Sequence, residues 1–374
     1  MNIERLHKIA AVVSEELKTT NIVPTIDGLV SSLENQINQP QDPQHQQNVS
    51  RLLQELLANL GKSTIPNLPP SWRQQMQEIG MLDYLGPNLR DKISEIFIRN
   101  QITPSIALAE LKVVQNSVKK IQQSVDQLRK GFLSLSVGQE ELSEDECEVA
   151  VSIPRDFVEN KIDKFGKELG EIHKIIGVFL ELSIGARDSI PIRGIASSDL
   201  SVFLGLPVET GALIIFAIDK LLDVYSKILT IKQKRQELGQ IGLNEEALKS
   251  IDKNAKKLIE EKINELVDEL KEESKKILGA HSPVKGRDHE LDTELRISLN
   301  KIANRLDHGV NIEVRTGPVK EPEEAAGEAS LIRFNAQRLI LEKSANKNFI
   351  KSDTPPILQL PETAPEDKGD KKKS

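Results

Sequence analysis

The chain has 374 residues, 38% of them hydrophobic and 29% charged, with a formal net charge of −7 at pH 7; that length allows two or three domains with separate cores. Aromatic residues make up only 3%, with Trp72 the single tryptophan, so Leu, Ile, Val and Ala must fill any core, a composition suited to packed helices and coiled coils. The acidic balance excludes a surface that is wholly a nucleic-acid footprint and argues against a nucleic-acid partner, and the one cysteine, Cys147, excludes an internal disulfide framework.

The amino terminus, MNIERLHKIAAVV, carries Glu4 and no apolar segment of signal-peptide length, so a cytoplasmic location is expected. Residues 1–103 read as a helical region. One helix runs from Asn2 to about Lys18, and a second follows Pro24 with Leu29, Leu33 and Ile37 at helical spacing. The Gln-rich stretch 38–48, NQPQDPQHQQN, predicts a linker. Beyond it Leu52, Leu53, Leu56, Leu57 and Leu60 mark a third helix, and two more are expected around Trp72 to Ile79 and from Asn88 to about Arg99. Short helices separated by such breaks build bundles.

Residues 104–133 hold the most regular pattern of the chain. Leu111, Val114, Val118, Ile121, Val125, Leu128 and Phe132 step by three and four, a heptad seam that requires a partner helix. The spacing leaves open whether that partner lies in this chain; a protein partner or self-association through these residues is the expectation.

From 134 to 206 the period changes. Val149, Val151 and Ile153 alternate with other residues and stop at Pro154, as a strand does. A helical stripe follows with Val158, Ile162, Phe165, Leu169, Ile172 and Ile176, and Gly177 is expected to end it. Val178, Leu180, Leu182 and Ile184 alternate again, which predicts a βαβ unit with parallel strands and a right-handed crossover. Short strands over 189–195 and 200–206 would complete a small α+β domain.

Residues 207–307 predict long helices. The most apolar stretch, VFLGLPVETGALIIFAI at 202–218, is divided by Pro207 and Glu209; a membrane span needs about twenty apolar residues in a row, so no transmembrane segment is expected. Val202 to Leu206 reads as a buried strand and Ala212 to Ile218 as helical turns covered on all sides. A last amphipathic helix carries Leu291, Leu295, Leu299, Ile302 and Leu306. VNIEVR within 308–316 alternates as a short strand, and 317–374 predicts a largely disordered tail with a weak helix around Ala329 to Lys343. The fold class is therefore mainly α with a small α+β domain: a helical bundle and coiled-coil-like helices flanking a βαβ-containing sheet.

Chemical motifs are sparse. Gly61-Lys62-Ser63-Thr64 ends like a phosphate-binding loop, but Leu56 stands where the loop requires glycine, so a helix C-cap is expected. In RDHELDTEL, Thr293 replaces the second histidine of a zinc-hydrolase motif; no metal site and no cofactor are expected. Acidic neighbours around Cys147 raise a thiol pKa and argue against a nucleophile. Arg155, Arg187 and Arg193 lie at strand ends and loops of the α+β domain with Asp156, Asp188 and Asp199 and are the candidates for an anion site, while Asp156 also reads as a first-turn cap and Ser197, Ser198 and Asp199 as closing a turn.

The leading expectation is a non-enzymatic interaction or scaffold protein assembled through coiled-coil helices, with the seam helix and a later long helix pairing as a stalk. That order resembles the structural-maintenance ATPases in topology alone, because neither ATP-binding half is present. A nucleotide- or anion-binding sensor or enzyme on the α+β domain is the second reading, and a peripheral membrane-associated protein the third.

Overall fold

The computed structural model describes residues 3–138, 141–196, 200–240, 245–278, 287–322 and 327–344. Among them are eleven α-helices and one sheet of four strands. The amino-terminal body is a bundle of α1 (Ile3–Thr19), α2 (Ile22–Asn38), α3 (Pro43–Leu60), α4 (Pro70–Glu78), α5 (Gly86–Arg99) and α6 (Pro104–Ser134). Val13, Leu29, Leu56, Leu89, Ile93 and Leu111 lie at its centre, with no exposed surface.

The predicted linker at 38–48 is corrected: α2 reaches Asn38 and α3 begins at Pro43. Asp42 caps α3 by accepting from the Gln44 amide at 2.9 Å, and Pro43 occupies a first-turn position where its missing N–H costs nothing. Glutamine is a good helix former, so the Gln-rich composition extends the helix.

The heptad seam meets partner helices within the chain. Leu111, Val114, Val118, Ile121 and Val125 are buried on α6 against α1 and α2 of the same chain. Leu128 is half-exposed, and the Phe132 ring lies 5.0 Å from that of His7 on α1. The apolar stripes of α1 and α2 thus cover these five positions of the seam within the chain.

The second body contains β1 (Glu146–Ile153), α7 (Ile162–Ile184), β2 (Ile192–Ala196), β3 (Leu200–Pro207), α8 (Val208–Gln240), α9 (Glu245–Leu278), α10 (Asp288–Asp307), β4 (Asn311–Thr316) and α11 (Glu328–Ser344). The strand order is β2-β3-β1-β4, and every pairing is antiparallel. The strands expected over 189–195, 200–206 and within 308–316 are therefore present, but the parallel βαβ unit is not. Helix α7 continues through Gly177 to Ile184, and Gly185, at φ 75°, ends it. Ile175 to Ser183 are all buried because α8, α9 and α10 pack around this half of α7. A run covered on every side loses its 3.6-residue period, and alternation within it carries no strand signal.

The helix expected around Ala329 to Lys343 is present as α11, which packs on α8 and β4 with Ala336 and Ile340 fully buried, while 345–374 lie outside the described residues. The expected stalk pairing is not found among the described residues: α6 packs on α1 and α2, whereas α8 packs on α9.

The sheet has two chemically distinct faces. Cys147, Val149, Val151, Ile153, Val202, Leu204, Leu206 and Val314 enter a core shared with α7, α8, α9 and α10. Glu148, Phe203, Glu313 and Arg315 alternate onto the opposite face, toward the bundle. The hydrophobic cores of the two bodies are separate, and polar chemistry joins them.

Candidate functional site

The joint between bundle and sheet centres on Glu148. Arg5 Nη2 donates to its two carboxylate oxygens at 2.9 and 2.8 Å, with the two side chains only 3% and 1% exposed. Arg315 Nε donates to the same carboxylate at 2.8 Å, and Arg193 Nε lies 4.0 Å away. The Arg5 guanidinium stacks 3.7 Å from the centre of the Phe203 ring, and that of Arg315 lies 5.5 Å from the Trp72 ring. Farther along β4, Glu313 accepts from the Ser71 amide at 3.0 Å and from its hydroxyl. Burial pushes the Glu313 carboxyl above its ordinary range, against the opposing effect of the Ser71 bonds and the Arg5 charge.

Beside this joint is a cavity of about 550 Å³, a size ordinary for ligand sites. Pro69, Pro70 and Trp72 of the bundle form one wall. Ile215 and Ile218 of α8, Leu306 of α10 and Ile340 of α11 supply apolar surface opposite. Lys8, Lys320, Glu141 and Glu144 stand around the polar part with balanced charge, and Lys320 pairs with Glu144. All six residues of β4, Asn311 to Thr316, border the cavity. A strand lines a cavity without interruption when it presents its edge.

The backbone register establishes which groups that edge offers. The Gly205 amide donates to Pro191 O at 3.0 Å, so Gly205 turns its backbone away from β1. Its neighbours Leu204 and Leu206 then bond to β1 opposite Val149 and Cys147. By alternation Glu148, Ala150 and Ser152 turn to β4, where Arg315, Glu313 and Asn311 meet them. The N–H and C=O groups of Ile312, Val314 and Thr316 consequently point outward, and among the described residues no strand pairs there. Ser344 Oγ donates to Val314 O at 2.9 Å from that outer side, in agreement with the assigned direction. The Trp72 indole nitrogen and the Thr316 hydroxyl, both buried and both bordering the cavity, have no hydrogen-bond partner among the described residues.

The chain matches no family model, no curated protein and no solved structure.

The arginines singled out in the sequence do not converge. Arg155 lies beyond the carboxyl end of β1 and donates to Asn160 at 2.9 Å. Arg187 follows α7 and is held by Glu181 at 2.7 Å and by Glu294. Arg193 on β2 donates to Glu146 at 3.1 Å and to the Glu141 carbonyl at 2.8 Å. Gly61 caps α3 as expected, and Thr64 gives its amide and hydroxyl to the Glu16 carboxylate at 3.1 and 2.9 Å. Cys147 is fully buried and burial pushes its thiol far up, which suppresses the thiolate. Among the described residues no cluster of His, Cys, Asp and Glu is placed to hold a metal, and no helix is long and apolar enough to cross a membrane.

Trp72, Glu313, Arg315 and Thr316 were not legible as site residues. In VNIEVR the charges fall at alternate positions, which reads as a solvated strand face. The available signal was Trp72, the single tryptophan, whose indole nitrogen is a donor that burial obliges to find a partner.

Proposed function

We propose that this protein is a non-enzymatic interaction module that captures an extended peptide at the outer edge of β4. The observation that carries this reading is the set of outward backbone groups on Ile312, Val314 and Thr316 bordering an apolar cavity, of which the Val314 carbonyl already accepts from Ser344 Oγ. A peptide strand added there gains main-chain hydrogen bonds, and its alternate side chains supply selectivity. One side of such a strand meets Ile215, Ile218 and Ile340, while the other meets Trp72 and the two prolines. The favoured partner is a segment with apolar residues at every second position and little net charge, since Lys8 and Lys320 balance Glu141 and Glu144.

A Thr316→Pro variant of the full chain tests this. It deletes one outward amide without touching the β1–β4 ladder, and edge strands accept proline at such positions. Peptides are selected from a random library on the wild-type protein and titrated calorimetrically against both forms, with circular dichroism confirming that the variant is folded. The expected result is alternating apolar peptides that bind the wild type and lose at least tenfold on Thr316→Pro. Peptides that bind both forms equally, or no selected binders, would refute the reading.

A further inference from the structure

We infer that the carboxyl-terminal turn of α11, Leu341 to Ser344, is a displaceable latch on the β4 edge, which a captured peptide must lift to complete its pairing. The inference rests on the peptide-capture reading and names the regulation of that site. The latch is one hydrogen bond in a decisive place. Ser344 Oγ donates to the Val314 carbonyl at 2.9 Å from the outer side of the strand, where the N–H of an added strand has to lie. Val314 is the middle one of the three residues whose backbone groups point outward. A peptide therefore cannot pair continuously along Ile312, Val314 and Thr316 while the Ser344 hydroxyl holds that position.

Helix α11 is held unevenly along its length. Its body is fixed by Ala336 and Ile340, both fully buried, and by Gln337 Nε2, which donates to the Glu144 carbonyl at 3.1 Å. Beyond Ile340 the grip is slighter. Leu341 borders the cavity yet is 53% exposed, and Lys343 reaches Asp219 in a long ion pair of 3.4 Å. Terminal turns of helices leave carbonyls without intrahelical donors and open at lower free energy than helix interiors. The turn can therefore lift while Ala336 and Ile340 stay in place, so the apolar wall to which Ile340 belongs is kept for the peptide.

Breaking the Ser344 bond opposes capture, and the net contribution of one such bond corresponds to about fivefold in an equilibrium constant. The test uses the full chain and library-selected peptides whose binding is lost on Thr316→Pro. Titrated calorimetrically, these peptides should bind Ser344→Ala about fivefold more tightly than the wild type, with circular dichroism confirming that the variant is folded. Amide hydrogen exchange, read by NMR on the wild type with and without peptide, supplies a second readout. On binding, the Thr316 amide should exchange more slowly, because it joins the new ladder, and the Lys343 and Ser344 amides faster, because their turn has lifted. Equal affinity of wild type and Ser344→Ala, or unchanged exchange at Lys343 and Ser344 while Thr316 slows, overturns the latch and leaves peptide capture standing. Absence of any Thr316→Pro-sensitive binding overturns both.

Discussion

Alanine at Gly211 drives helix α8 into strand β1. A Cβ built on Gly211 lies 2.2 Å from Cys147 Sγ, 3.2 Å from Cys147 Cβ and 3.1 Å from Val314 Cγ1. Favourable carbon contacts sit near 3.5–4.0 Å, and Cys147 is fully buried on the central strand. Overpacking of this kind costs about 1–3 kcal/mol; the triple collision places Gly211→Ala near the upper end. Alanine recovers about 1 kcal/mol through its better helix propensity, which leaves a net loss of about 2 kcal/mol. Cys147→Ala removes the sulfur and with it the worst contact. Against that background the cost of Gly211→Ala falls nearly to zero, a coupling of about 2 kcal/mol within the range for touching residues. Urea unfolding of the wild type, both single variants and the double variant, followed by circular dichroism, measures this cycle. Additivity within about 0.5 kcal/mol, or a neutral single substitution, would show that close approach at Gly211 is not what seats α8 on the sheet.

The joint yields a second prediction: Glu148→Gln leaves both Arg5 and Arg315 without their carboxylate and costs about 3–5 kcal/mol, whereas Arg5→Met leaves Glu148 paired with Arg315 and costs less. The order of unfolding midpoints reads this directly, and a reversed order contradicts the central role of Glu148. Thr316→Val removes a buried hydroxyl that lacks a partner among the described residues, and the expected gain is about 1 kcal/mol, seen as a higher thermal midpoint. The Lys174 and Lys301 ammonium groups hold the Glu171 carboxyl down at about 2. Because its folded pKa is depressed, its stabilisation is fully present above its unfolded value of about 4.5 and is lost as pH falls toward about 2. Thermal midpoints recorded from pH 5 to pH 2 should fall less steeply for Glu171→Gln than for the wild type; parallel curves would remove Glu171 from the acid response.

What the sequence by itself determined is the set of surfaces that must be buried. The stripe on α6 from Leu111 to Val125, the alternation of Val149, Val151 and Ile153, and the all-apolar turns from Ala212 to Ile218 each state which side chains leave water, and each is buried. A period of 3.5 or 2 records how a face recurs along one element. It holds no information about what covers that face. Hence the seam on α6 gave no sign that its partners are α1 and α2, and the alternation after Gly177 gave no sign that α8, α9 and α10 enclose a continuing helix. The candidate site is still less local. Glu313 and Arg315 read as solvated charges until the bundle brings Arg5, Ser71 and Trp72 against them. Which amides of β4 point outward depends on a register that runs through three other strands, and only the tertiary structure sets that parity, because hydrogen-bond direction is a property of the pair and not of either strand alone.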